Sequence, residues 1–582
     1  MKRINKLISI KTMTPFVIGL LLLLLLLSIG LDKVNTVGTT TDEFGYLYGG
    51  AIFSGMDWNS VMQYHPYYSP FISILWTPLF YLFKDSPILL YQSIIGMNVM
   101  MVLVTYTIIY YISKYKIFRL SSVAATSLAF VVCIYPSNMY YVPLAVVETL
   151  LQLLFWLLLI EIYSYLNNYK SHQLYLSAVI LGLMINVHNR TLAISLITIA
   201  FLTIVMIIKK QKLAPAVISL MIFIGFYLLS GHLKAIYLSQ FEQISEMNSV
   251  NTSIPTVELL ISIISRFVDV FKSFLGKIYA LLTVGNVAVF LGIYKLVLDF
   301  LSGIKKWKEP SVAFLISAYL LIVFFGNVVA FSITTAGVVS RFDYVLYTRY
   351  FDNLVGPIML IGMKWLLDIR KIPFLPLIWQ GIALIVLTPT IMHSLEQVTG
   401  SIFAIDSSPG FGAFFPYYLD NQHIYLPLLK SICYSLCIIL IYVLLRNYDV
   451  VKLRKYSCLS LLPLCLYWVF LGLEAKGAYG GIRDAEFSKT IGIVNILGSL
   501  HNDNIVYLRN TEDDFISQAK RLQVLCPNIP IKVETITKEF EPQDNTVYVT
   551  STSDELYSDL SSRQGLAIHD YNGVDIYEFE DD

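Results

Sequence analysis

Apolar runs punctuated by short basic clusters recur from one end of this chain to the other. A helix needs roughly 20 apolar residues to cross the hydrocarbon core of a bilayer. About thirteen such runs can be placed, at residues 15–30, 89–112, 118–134, 144–165, 174–187, 192–208, 213–229, 278–300, 312–332, 354–368, 374–392, 424–445 and 459–473, with ends good to a few residues. The runs 174–187 and 192–208 are short and meet at His188-Asn189-Arg190, so one re-entrant hairpin is the alternative there. Between the spans, Glu258, Ser262, Arg266, Asp269 and Lys272 recur at helical spacing opposite Leu259, Ile263, Phe267, Val270, Phe271 and Phe274. That pattern predicts a helix lying flat in the interface. From about Ala478 the pattern changes. Strands are expected at 504–508, 531–535, 546–550, 565–569 and 575–580, with an amphipathic helix at 512–525. The expected fold class is a polytopic α-helical membrane protein with a small C-terminal α/β domain, divided as 1–477 and 478–582.

Composition agrees. Of 582 residues 56% are hydrophobic and only 14% charged, where soluble domains carry about a quarter. The mean hydropathy is +0.66. Net charge is +1, which gives no electrostatic case for a nucleic-acid partner. The six cysteines are scattered and form no disulfide framework or metal-ligand spacing.

The placement of charge sets an orientation. Lys2, Arg3, Lys6 and Lys11 precede the first span. Alternate loops then carry Lys114/Lys116/Arg119, Lys170, Lys209/Lys210/Lys212, Lys305/Lys306/Lys308, Arg370/Lys371 and Arg446/Lys452/Arg454/Lys455. The positive-inside rule predicts a cytoplasmic N-terminus and leaves 32–87, 231–277, 334–353 and the C-terminal tail outside, most simply in a cell membrane. No small-residue cleavage site follows the leucines at 20–27, so that run is expected to stay as the first span. The sequon Asn251-Thr252-Ser253 falls on the outer side.

Ionisable residues at the membrane surface mark candidate chemistry. The first outer loop reads Thr41-Asp42-Glu43-Phe44-Gly45-Tyr46, then Tyr64-His65-Pro66-Tyr67-Tyr68-Ser69-Pro70 and an apolar stretch ending at Phe83-Lys84-Asp85. Adjacent carboxylates point in different directions, so one can act as a base while the other orients a partner. A plain helix N-cap is the bland alternative.

This order, an Asp-Glu pair after the first span, a Tyr, then His-Pro before a Pro-led apolar stretch, resembles the GT-C glycosyltransferase superfamily. The branch it resembles uses polyprenyl-phosphate-linked sugars and includes protein O-mannosyltransferases and aminoarabinose transferases. The resemblance implies a catalytic domain over 1–477, with its acids in the first outer loop, 32–87, and an extracytoplasmic domain over 478–582. It implies that Asp42 deprotonates or orients the acceptor for inverting attack on the anomeric carbon, with Glu43 assisting. Glu148, at the head of the fourth span, is the candidate second acid. The metal-binding acid pair of oligosaccharyltransferases is missing from the 135–143 loop, so no cofactor is assigned and a divalent metal stays open. Tyr347-Thr348-Arg349-Tyr350, with Pro357 following, resembles an Arg-Tyr motif of the superfamily. Arg349 is expected to hold the donor phosphate, because its planar fork donates two hydrogen bonds. Arg341 and Lys84 are secondary cations. His65, Tyr46 and Tyr350 are expected to contact substrate, and Arg190, costly in lipid, is expected to face the cavity. The implied partners are a polyprenyl-phosphate-linked sugar, an extracytoplasmic acceptor (protein, lipid or glycan) and the bilayer.

The rival reading is a transporter or a lipid or polysaccharide flippase. Such proteins often show internal repeats and ionisable groups at the midplane. No half-to-half repeat is evident here, and the acids cluster in loops. A polysaccharide polymerase or ligase would place its key residues in a large late loop. A non-catalytic assembly protein would not need the Asp42-Glu43 pair together with Arg349.

Overall fold

The structure is a computed structural model. It describes residues 10–38, 40–65, 68–69, 71–239, 264–336, 343–368, 372–396, 408–414, 425–446, 454–500, 504–509, 516–536, 540–541, 543, 545–550, 566–571 and 574–579. The sequon at 251–253, Arg341, and the part of the expected interfacial helix before residue 264 lie outside these.

Ten helices among the described residues are long and apolar enough to cross a membrane. Each coincides with an expected span. The other three expected spans are also helices, but shorter: Ser122–Cys133 has 12 residues, and Ser171–Val187 and Asp352–Asp368 have 17 each. Large apolar side chains such as Leu25, Leu228, Val386 and Leu466 are 62–66% exposed, as expected where the solvent is lipid. The chain is a multi-pass integral membrane protein.

One detail differs from expectation. The span expected at 278–300 is two helices, Phe267–Val284 and Asn286–Ile304. They part at Asn286, whose φ of 46° is left-handed. Asn tolerates that region because its short amide bonds locally. Here Asn286 Oδ1 accepts from the Val287 N–H at 2.8 Å and from Gln380 Nε2 at 3.2 Å. At the junction of the two short spans, His188 is extended and Asn189–Thr191 form one 3-10 turn before the helix Leu192–Ile208.

Glycine sets the closest helix packing. A Cβ on Gly292 would lie 2.1 Å from the Ile358 carbonyl oxygen, and one on Gly362 would lie 2.1 Å from that of Ala288. The helices Asn286–Ile304 and Asp352–Asp368 therefore meet backbone to backbone, the small-residue packing used inside membranes. This contact anchors the helix that begins three residues after Arg349. Gly362→Val is expected to cost about 1–3 kcal/mol through overpacking, read as a lower Tm of the purified protein; an unchanged Tm would show that the pair can separate freely.

The helix Leu462–Ser499 runs unbroken for 38 residues from the last apolar span past residue 478. The sheet follows it, with order β2-β1-β3-β5-β4. Its strands are β1 (Ile505–Arg509), β2 (Ile531–Thr535), β3 (Val547–Thr550), β4 (Leu566–Asp570) and β5 (Asp575–Phe579). β1 is parallel to β2 and β3, while β5 is antiparallel to β3 and β4. The described part of the expected helix at 512–525 is Ser517–Leu525.

Strand alternation gives the sheet two apolar faces. Ile505 and Tyr507 join the core shared with the bundle, while Val506 and Leu508 pack with Ile536, Tyr548 and Tyr577 on the other side. The domain sits on the first loop region. Trp58 Nε1 donates to the Pro527 carbonyl at 3.0 Å, and the Val533 N–H to Ser60 Oγ at 2.8 Å. The Arg509 guanidinium lies 4.3 Å from the centroid of the Tyr64 ring, next to His65.

Candidate active site

Four loop regions at one end of the bundle converge on a buried ionic cluster. The helix Thr40–Phe53 carries Asp42 and Glu43 in its first turn. Consecutive helical residues point about 100° apart, so the two acids face different neighbours. Asp42 faces the cluster: Tyr68 Oη donates to its Oδ1 at 2.7 Å and Arg349 Nη1 to its Oδ2. Glu43 faces the 142–147 segment. Its Oε1 accepts from the Gly38 N–H at 2.7 Å, and its Oε2 from the Ala145 N–H at 2.8 Å and from Tyr91 Oη. Glu43 therefore ties the loop to two neighbouring segments and does not face Arg349.

Gly45 makes room for this arrangement. A Cβ there would fall 2.2 Å from the Tyr68 ring and 2.7 Å from His65 Cε1. His65 is buried, 5.4 Å from the Tyr68 ring by centroids. Tyr46, one turn after Asp42, packs on Tyr68 with ring centroids 4.7 Å apart and the planes tilted by 48°.

Glu148 heads the helix Glu148–Asn168 and is 7% exposed. Its Oε1 accepts from Arg349 Nε at 2.5 Å and from both terminal nitrogens of Arg190 at 3.1 Å. Arg349 thus bridges Asp42 and Glu148, and Glu148 bridges Arg349 and Arg190. Two carboxylates and two guanidinium groups balance in charge, the condition under which burying them is tolerable. Arg349 is held by the turn before the helix Asp352–Asp368, where the Thr348 N–H donates to Ser408 Oγ at 3.1 Å. The Arg349 guanidinium lies 5.8 Å from the Tyr141 ring centroid, and that of Arg190 lies 5.2 Å from that of Tyr350. The Arg190 N–H donates to His188 Nδ1 at 3.1 Å, which closes the fourth loop onto the cluster.

The cluster lines a narrow cavity together with Ser137, Asn138 and Asp352. Among the described residues, Tyr46 Oη, Glu148 Oε2 and Asp352 Oδ1 around it are buried and find no hydrogen-bond partner. Orphans of this kind call for an explanation, and an absent polar ligand is one. Among the described residues no group of three or more His, Cys, Asp and Glu side chains converges. The charged donors of the site are guanidinium groups.

No family model matches the chain, and no curated protein matches it. Solved structures do. Two crystal structures of ArnT from Cupriavidus metallidurans, one bound to undecaprenyl phosphate and one in the apo state, match with TM-scores of 0.53 and 0.52. Each match covers 97% of this chain, and 98% and 97% of the ArnT chains, at 12% and 11% identity. The chain has the ArnT fold. The likeness runs through bundle and C-terminal domain alike, which is the architecture that the GT-C resemblance implied.

Within this ArnT-like frame the expected site residues divide. Asp42, Glu148 and Arg349 are in direct contact, and Tyr46, His65 and Tyr350 surround them. Lys84 does not join them: it is exposed at the end of the helix Phe71–Phe83, where its carbonyl accepts from Asn528 Nδ2 at 3.1 Å. Arg190 enters as its placement between apolar runs suggested. Tyr68 and Asp352 were given no role from sequence. An acid in a helix's first turn reads as a favourable dipole partner, which hid Asp352.

Burial opposes the ionised form of Asp42, but the Arg349 guanidinium and the Tyr68 hydroxyl outweigh it and hold the carboxyl down at about 2. The native pKa lies below the usual carboxylate value. The pair's contribution to stability is then complete above about pH 4 and lost as pH falls toward 2. Burial and the two arginines push the His188 imidazole well below its ordinary value, so it stays neutral. The contribution of the cluster is expected to fall as pH drops below about 6.5, where the unfolded chain's imidazole takes up a proton that the buried His188 does not, and to fall further below about 4 as Asp42's share is lost. A melting curve against pH checks this: the decline between about pH 6.5 and about pH 5 should shrink in His188→Gln, and identical curves for wild type and variant over that range would contradict it.

Proposed function

We propose that this chain is a membrane glycosyltransferase that moves a sugar from a polyprenyl-phosphate carrier to an acceptor outside the cytoplasm, by a single inverting displacement. The observation that carries this reading is the pairing of Asp42 with Arg349 beside Glu148 and Arg190, in a fold shared with an ArnT that binds undecaprenyl phosphate.

The cluster describes a resting state. With Arg349 on it, the Asp42 carboxylate is a weak base. A donor phosphate entering the site competes for Arg349 and Arg190, both of which can make charge-assisted bonds to it. Glu148 keeps hold of the two arginines. The added negative charge and the loss of Arg349 raise the basicity of Asp42, and its Oδ2 becomes free while Tyr68 still fixes Oδ1. The acceptor hydroxyl or amine then attacks the anomeric carbon as its proton passes to Asp42. The bond from that carbon to the phosphate oxygen breaks, and the polyprenyl phosphate leaves with its charge on the arginines. The donor's binding thus switches on the base.

The test is binding of undecaprenyl phosphate to the purified protein in nanodiscs. Arg349→Met is expected to weaken it at least about tenfold, the loss of a charge-assisted pair. Equal binding by wild type and variant would place the phosphate elsewhere.

A further inference from the structure

A cationic cavity opens at the same end of the bundle, on the far side of the 142–147 segment. It holds ≈ 380 Å³ and is lined by Lys33, Lys476 and Arg483, with Asp484 as its one acid. Asp32 neighbours Lys476. Arg483 is 3% exposed and donates from Nη1 to the Pro143 carbonyl at 2.9 Å; Lys476 Nζ donates to the Leu27 carbonyl at 2.9 Å. One wall is the glycine-rich turn of the helix Leu462–Ser499. A Cβ on Gly477, Gly480 or Gly481 would meet nothing within 4 Å, so that wall is recessed.

Residues 14–22 of the helix Ile10–Ser28, which leads into that cavity, line a second opening with Leu462 and Cys465 at the start of the helix Leu462–Ser499. This groove of ≈ 710 Å³ is almost wholly apolar, with Leu22, Phe130, Leu462 and Cys465 among its walls. The first helix is peripheral, with only 17% of its apolar window buried. Taken as one crevice, the two openings are cationic beside residues 29–34 and 476–484 and apolar beside residues 14–22 and 458–465.

We infer that this crevice is a binding site for a phosphate-bearing membrane lipid, with its headgroup at Lys33, Lys476 and Arg483 and a chain along the groove. The charge excess selects an anionic headgroup, and the apolar length below it suits a hydrocarbon tail. The site is separate from the Arg349 cluster. It touches that cluster's scaffold, since Arg483 binds Pro143 while Ala145 bonds Glu43, the neighbour of Asp42.

The test uses the full chain in detergent and counts bound dioleoyl phosphatidic acid by native mass spectrometry, with dioleoyl phosphatidylcholine and inorganic phosphate as comparison probes. Lys33→Gln/Lys476→Gln is expected to hold one phosphatidic acid fewer, with about tenfold weaker binding at that site. Gly480→Leu keeps every charge, fills the recess and should give the same loss. Undecaprenyl phosphate also carries a phosphate and a hydrocarbon chain, so wild type should hold two copies and both variants should keep the one placed at Arg349, a point that rests on the proposed function. Unchanged phosphatidic acid counts in both variants would overturn the inference, as would equal retention of phosphatidylcholine. Displacement of the lipid by inorganic phosphate at equal concentration would also overturn it, making this a site for soluble anions.

Discussion

Asp42→Asn is expected to lower turnover by about 10²–10⁴-fold, the usual worth of a positioned base, while leaving donor binding within a few-fold of wild type. Asn has nearly the same shape and can still accept from Tyr68, so the loop should keep its place. What is lost is the proton acceptor and one partner of Arg349. Freed from that partner, Arg349 binds a donor phosphate at least as well as before. A fall in rate without a fall in affinity is the signature of a group that acts only in the chemical step. A variant that loses affinity and rate together would instead make Asp42 a binding or folding residue.

The second large effect is expected at Glu148. Glu148→Gln removes the charge that holds Arg190 and Arg349 together and leaves Arg349 paired with Asp42, and Arg190 without its salt bridge. Removing one partner of a buried ionic network costs about 3–5 kcal/mol, so a marked drop in Tm is expected. The variant also carries a diagnostic response. A polyprenyl phosphate supplies the missing negative charge, so the ligand should raise the variant's Tm more than the wild type's, since binding stabilises the state it prefers. A variant destabilised by packing alone would show no such difference.

The membrane architecture was legible because spans announce themselves by length and hydropathy. The break at Asn286 was not, since an apolar run reads the same through a left-handed residue. The sheet was legible from period-2 alternation, but not its contact with Trp58 and Tyr64, which joins segments far apart in the chain. In the site, Asp42, Glu148 and Arg349 were singled out one by one, as charged groups at the membrane surface and through the GT-C resemblance. Their mutual contact is tertiary and no spacing encodes it. Asp42 and Glu43 looked like one functional pair. Helix geometry sends one to Arg349 and the other to the Ala145 backbone, and only the folded neighbours decide which is which.

The central claim is that this site breaks the bond between a sugar and a polyprenyl phosphate. It is tested most directly by incubating the purified protein in nanodiscs with a panel of labelled polyprenyl-phosphate sugars and cell-envelope acceptors. The account predicts release of polyprenyl phosphate in step with sugar transfer, dependent on Asp42, with inverted configuration at the anomeric carbon. Transfer with retained configuration, or passage of the intact donor across the bilayer with no bond cleaved, would contradict it.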